Sequence, residues 1–224
     1  MAIQIQGNGG AVAEVDGTTF RALRGVNRPT DYGALGTYGY GGFTGILPAA
    51  LGANSEIFQF RWTDATRFAV INEIKISACV STTFFAAGVP VQIDLVRATA
   101  WSAAGTGGTG ITPAALLKKR TAMGSTLVAS GDIRIATTAA LGAGTKTLET
   151  LAQASLAAAG PITASLNGQI LAPGTILWRG ETSDGQHPFV LAQNEGFVIR
   201  SVAVPATGTW TASIAIDWTE VTAY

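Results

Sequence analysis

Residues 209–219 read Thr-Trp-Thr-Ala-Ser-Ile-Ala-Ile-Asp-Trp-Thr, with Trp210, Ala212, Ile214, Ile216 and Trp218 on every second position. Successive side chains of an extended chain point to opposite faces, so this run makes a strand with one apolar face and one face of Thr, Ser, Ala and Asp. An amphipathic helix would need apolar residues three and four apart. The same alternation appears where Ile74, Ile76, Ala78 and Val80 interleave with Lys75, Ser77 and Cys79, and where Val89, Val91, Ile93 and Leu95 interleave with Gln92 and Asp94. Phe58, Phe60 and Trp62 repeat it around Gln59 and Arg61. From Phe197 to Val202 both alternating sets are rich in apolar residues, the pattern of a strand buried on both sides.

Turn chemistry separates these runs. Asp16-Gly17 and Asn167-Gly168 suit the positive φ angles of two-residue hairpins, and Asn8-Gly9-Gly10, Asp184-Gly185 and Thr207-Gly208 add further breaks. The pattern predicts an all-β chain, an antiparallel β-sandwich. Two stretches read as short helices in long connections. Thr112–Arg120 offers a capping Thr, a proline at the first helical position and basic residues in the last turn; Thr147–Ala159 is rich in Ala and Leu. Tyr32–Phe43 reads as a Gly/Tyr loop without a regular period. The organisation expected is an arm and hairpin over residues 1–24, then one sandwich domain over 25–224 with an insertion-like region at about 102–165.

Composition narrows the function classes. The chain has 224 residues, 12% of them charged, with 14 basic and 14 acidic side chains and zero formal net charge. That is about half the roughly 25% charged content of an average domain. Zero net charge argues against nucleic-acid binding, which needs a basic face, and against a polybasic membrane anchor, and Lys118-Lys119-Arg120 is too short for such a patch. Low charge also removes the repulsion that keeps proteins apart, which points to surface held against copies or partners. Cys79 has no second cysteine to pair with. The opening Met-Ala-Ile-Gln-Ile-Gln lacks a basic, then apolar leader, and no apolar run approaches a membrane span, so a chain made in the cytoplasm is expected.

Candidate chemistry is sparse, and the chain reads as a non-enzyme. Gly105-Thr106-Gly107-Gly108-Thr109-Gly110 satisfies G-x-G-x-x-G, but a dinucleotide site needs those glycines inside a parallel βαβ unit, so a Gly/Thr loop is expected and no cofactor. His187 is the one histidine, in a turn beside Pro188, which reads as a solvated residue rather than a base. Cys79, inside a strand, reads as a packed thiol. One His and one Cys cannot complete a metal site of that type. Asp94, Glu195, Asp217 and Glu220 read as polar-face and turn residues rather than a facing catalytic pair. The tryptophans at 62, 178, 210 and 218 sit in strand patterns and read as core. Tyr32, Tyr38, Tyr40 and Phe43 instead suggest a loop docking on another subunit, or an aromatic platform for a sugar.

Several stretches resemble virion structural proteins of tailed bacteriophages. They are Gln4–Gly17, Phe20–Arg24, Phe60–Asp64, Leu191–Phe197, Val204–Trp210 and Asp217–Val221. The resemblance implies a jelly-roll-like sandwich repeated in many copies on the particle. It implies a decoration (cement) protein on the outer capsid surface, with the major capsid protein and copies of itself, as a homotrimer, for partners. Neck, collar or tail components are the neighbouring possibility, and a carbohydrate-binding module is the alternative of another class. The expected anchors are Ile3, Ile5 and Asn8 in the arm Ala2–Gly10, able to add a strand to a neighbour, together with Tyr32, Tyr38, Tyr40 and Phe43.

Overall fold

The computed structural model describes residues 15–16, 22–23, 36–49, 51–86, 90–159, 168–180, 188–203 and 206–222. In chain order the strands are β1 (Val15–Asp16), β2 (Ala22–Leu23), β3 (Gly36–Phe43), β4 (Leu47–Pro48), β5 (Ser55–Trp62), β6 (Phe68–Val80), β7 (Pro90–Ala103) and β8 (Thr109–Ile111). They continue as β9 (Leu117–Lys118), β10 (Ile133–Ile135), β11 (Thr145–Leu148), β12 (Ala154–Ala159), β13 (Gln169–Arg179), β14 (Phe189–Leu191), β15 (Glu195–Ala203) and β16 (Thr209–Val221).

Two antiparallel sheets pack face to face. The first runs β9-β3-β16-β6-β13, with β14 also on β6 and β4 also on β16; the second runs β8-β10-β5-β15-β7-β11, with β12 also on β7. The chain crosses repeatedly between them, so that β3, β16, β6 and β13 face β5, β15, β7 and β12. The alternating patterns anticipated the sandwich, and its strand order is that of a jelly roll, which the resemblance had implied.

The core lies where the inner faces meet. Trp210, Ala212, Ile214, Ile216 and Trp218 of β16 are buried, as are Ile74, Ile76 and Ala78 of β6. Across from them Phe60 stacks on Phe197 with centroids 5.3 Å apart, and Trp218 meets Phe60 edge-on at 5.3 Å. Each such aromatic contributes roughly 1.5–3 kcal/mol by burial, and the ring geometry adds about 0.5–1.5 kcal/mol.

Five local expectations need correction. Gly36–Phe43 is a strand paired along β16, not an irregular loop: Tyr38 and Tyr40 point inward while Thr37, Gly39 and Gly41 point outward. Thr112–Arg120 makes only a 3-10 turn at Pro113–Ala115; Thr112 forms no side-chain cap, and Leu117–Lys118 joins the edge of β3. A two-turn helix has too few internal bonds to compete with an open strand edge. Thr147–Ala159 is no helix either, because the free edge of β7 takes up β11 and β12. Asp16 pairs with Ala22 inside the strand, so Asp16-Gly17 is not a two-residue hairpin turn. Cys79 faces outward and is exposed rather than packed.

Candidate functional site

Outside the core, the polar and aromatic groups fall into three places: the outer face of the second sheet, one edge of the sandwich, and the outer face of the first sheet.

The outer face of the second sheet is covered by the chain's own residues 104–153. Gln59, between the core residues Phe58 and Phe60, reaches the Gly142 carbonyl at 3.0 Å. Arg61 pairs with Asp132 at 2.6 Å, and Asp132 also accepts from Thr63 at 2.8 Å. Lys146 pairs with Glu56 at 2.9 Å, both side chains buried, and its ammonium lies 4.6 Å from the Trp101 ring centroid. Asp94 accepts from Ser155 at 2.7 Å and faces Arg200. Val96, Ala98, Trp101 and Val198 form a satellite apolar cluster capped by Leu148 and Ala152. Gly196 makes room for it, since a Cβ there would meet the Trp101 ring at 2.8 Å and the Phe60 carbonyl at 2.1 Å. The carboxylates here serve as structural acceptors.

At the edge between β13, β14 and β7 lies a cleft of about 470 Å³. Trp178 meets Phe189 edge-on at 5.9 Å, and the Arg97 guanidinium sits 6.0 Å from the same ring. Arg97 pairs with Glu195 at 2.9 Å, which also accepts from the Ala192 backbone N–H at 2.9 Å. The volume falls in the ~300–1,000 Å³ range of small-ligand pockets. Trp178 is half-buried, whereas Trp62, Trp101, Trp210 and Trp218 are fully buried.

Among the described residues, the outer face of the first sheet is built mostly from small side chains, with Phe43 and Ile176 exposed on it. Register places Phe43, Ser213 and Ser77 in one row, Gly41, Ala215 and Lys75 in the next, and Gly39, Asp217 and Glu73 in a third. Thr211 lies beside Cys79, with Oγ1 and Sγ 3.4 Å apart. Phe43 is 75% exposed and borders a shallow groove of about 260 Å³, whose floor includes Ser77, Cys79, Thr211 and Ser213 and whose far side includes Pro173. A Cβ on Gly39 would meet Asp217 Oδ1 at 2.5 Å and push that carboxylate aside; a Cβ on Gly41 would meet nothing within 4 Å.

Charge sits at one end of this face and is paired there. Lys119 meets Asp217 at 2.8 Å, and Glu73 is held by Lys75 and Arg179. Burial pushes the Glu73 carboxyl up, but the hydrogen bonds and charges of Lys75 and Arg179 outweigh it and leave the group below the ordinary carboxylate range. Near the same end Glu220 is buried and accepts from the Thr126 hydroxyl, the Leu127 backbone N–H at 3.1 Å and Trp218 Nε1 at 3.3 Å. Burial raises its pKa despite those donors, with the charge of Asp64 adding to the rise.

The expected anchors separate. Tyr38 is core, its ring 5.9 Å from Trp218 and its hydroxyl donating to the Gly124 carbonyl at 3.1 Å, so it presents no docking surface. Tyr40 is half-buried and stacks on Phe58 at 6.1 Å. Burial raises the pKa of both phenols, and Glu220 adds to the rise at Tyr38. Phe43 alone of the three is exposed. Ile3, Ile5, Asn8, Tyr32 and His187 lie outside the described residues.

The glycine motif is a loop with structural duties. Gly107 and Gly108 take φ of +73° and +55°, Arg134 donates to the Gly107 carbonyl at 3.0 and 2.7 Å, and β8 pairs antiparallel with β10 rather than entering a parallel βαβ unit. Among the described residues no group of three His, Cys, Asp or Glu could hold a metal, and no helix is long and apolar enough to cross a membrane. Comparison with protein families, with curated proteins and with solved structures finds no match in any of the three.

Proposed function

We propose that this chain is a virion structural protein of a tailed phage, a decoration (cement) protein that binds and stabilises the outer capsid surface. One observation carries the reading: among the described residues, the outside of one sheet is covered by the chain's own insertion, while the outside of the other presents mostly small side chains with Phe43 and Ile176 exposed. Together with a surface of few charges, such a face suits packing against other subunits. The resemblance supplies the particle. A rigid jelly roll bridges neighbouring capsid subunits, the arm Ala2–Gly10 adds a strand to a neighbour, and repetition over the shell converts modest single contacts into tight attachment.

The test is sedimentation of the purified chain with empty heads. Stoichiometric pelleting that is abolished by deleting Ala2–Gly10, in a variant that keeps its β circular dichroism, supports decoration. Undiminished decoration by the truncated chain contradicts the role of the arm. A chain that ignores heads but joins necks or tails moves the same structural role to that location.

A carbohydrate-binding module is the second reading, and the edge cleft favours it. Trp178 and Phe189 supply aromatic walls, while Arg97 and Glu195 supply a donor and an acceptor whose charges cancel, a set suited to neutral sugars. Trp178 is the one half-exposed tryptophan, so its fluorescence should shift on titration with a bound glycan and stay silent in Trp178→Phe. No shift across a glycan panel removes this reading.

A further inference from the structure

We infer that the edge cleft is an amide-recognition site whose occupant is an N-acetylated sugar, its acetamido group held among Trp178, Arg97 and Glu195. Six buried side-chain polar atoms lack a hydrogen-bond partner among the described residues, and two of them, Trp178 Nε1 and Arg97 Nε, belong to residues that line this cleft. Both residues stand against one ring: Trp178 meets Phe189 edge-on with centroids 5.9 Å apart, and the Arg97 guanidinium carbon is 6.0 Å from the Phe189 centroid. A buried N–H without an acceptor is costly, so a cleft lined by two of them favours a ligand that brings oxygen. Water does not reach either nitrogen, so the ligand gains them by turning the half-buried Trp178 ring and the partly exposed Arg97 side chain.

The rest of the cleft selects the kind of oxygen. Arg97 Nη2 donates to Glu195 Oε2 at 2.9 Å, and the Ala192 backbone N–H donates to the same oxygen at 2.9 Å. The charges cancel, so a carboxylate or phosphate ligand would meet no unpaired cation there. Glu195 Oε1 has no donor among the described residues and is left for a ligand N–H. An acetamido group supplies what these groups lack: a carbonyl with two lone pairs for two N–H donors, one N–H for the carboxylate, and a methyl for the apolar wall of Phe68 and Phe189. Trp178 gives the sugar ring an aromatic face. A peptide carries the same amide but runs on at both ends, and a compact cleft of about 470 Å³ suits a group that ends in a methyl.

This inference rests on the carbohydrate-binding reading and narrows it to acetylated sugars. The experiment is calorimetric titration of the full chain with the N-acetylglucosamine disaccharide, its deacetylated counterpart, cellobiose, and N-acetylalanine methylamide as a capped peptide. Binding of the acetylated disaccharide alone is expected. Trp178→Phe keeps an aromatic wall and removes the Nε1 donor; Arg97→Lys keeps a cation for Glu195 and removes the Nε donor. Each should weaken binding roughly 3–10-fold with β circular dichroism unchanged. Phe43→Ala, on the outer face of the first sheet, should leave binding as it is. Equal binding of cellobiose or of the deacetylated sugar keeps the carbohydrate reading and overturns the amide assignment. Binding of the capped peptide in place of the sugar overturns it, as does acetylated-sugar binding that neither variant weakens. No binding of any of the four overturns the inference, while the carbohydrate reading falls only if the wider glycan panel is silent as well.

Discussion

The outer faces of the two sheets are made of different side chains, and the difference follows from what lies over them. On the second sheet Gln59, Arg61, Asp94, Val96 and Val198 face outward, yet residues 104–153 and neighbouring strands enclose them with a satellite core and ion pairs. On the first sheet the corresponding positions hold Gly41, Ser77, Ala215 and Ser213, which need no such cover. Charges and large apolar groups gathered on an outer face cost stability unless something pairs or buries them, whereas small neutral groups and single apolar residues such as Phe43 stand exposed without such cover.

The sharpest way to break the comparison is to place the same charge on both faces. Val198→Asp puts an unpaired carboxylate into the satellite core and should cost about 3–5 kcal/mol in urea unfolding. Ser213→Asp, on the outer face of the first sheet, should change stability by no more than about 0.5–1 kcal/mol. Equal costs would show that the faces are not distinct.

Next in size is the buried ion pair. Lys146→Ala strands Glu56 without its cation and should cost about 3 kcal/mol, measured by denaturant midpoint. A cost below ~1 kcal/mol would mean that water already reaches the pair, and that the cover is looser than described.

The pH dependence separates Glu220 from Glu73. Glu220, with its raised pKa, binds a proton more tightly folded than unfolded. Its contribution is full below the ordinary carboxylate range and is lost as pH rises through the raised value. Glu73, lowered by Lys75 and Arg179, contributes fully above the ordinary range and loses this as pH falls through its lowered value. Glu220→Gln should therefore flatten the loss of stability on the rising-pH side, and Glu73→Gln should flatten the acid side. Thermal melts across pH read both.

The smallest effect expected is at Gly41. Gly41→Ala adds a Cβ into open space at an ordinary φ, so the isolated chain should gain up to about 1 kcal/mol from a less flexible unfolded state. A loss of stability in thermal or urea unfolding would show instead that the backbone at Gly41 does not suit an alanine.

Residues 209–219 announced their strand because large apolar and polar groups alternate without interruption. Gly36–Phe43 hid the same period: glycine carries no polarity, so Tyr38 and Tyr40 looked irregular although they stand two apart. Ala154–Ala159 hid it differently. Its Ala and Leu favour helix in isolation, and only the open edge of β7 turns the segment into a strand. The sequence marks Phe43 as an expected anchor, and its exposed place beside a groove comes only from the structure. Ser77, Cys79 and Ser213 lie far apart in the chain and become one groove floor only through the order β3-β16-β6-β13.

The central claim is that this chain is a building block whose uncovered surface exists to be covered. The most direct test is the mass and sedimentation of the full-length chain with and without empty heads. The account predicts an oligomer in solution that pellets with heads in stoichiometric amount. A chain that remains monomeric at high concentration and stays in the supernatant would contradict it.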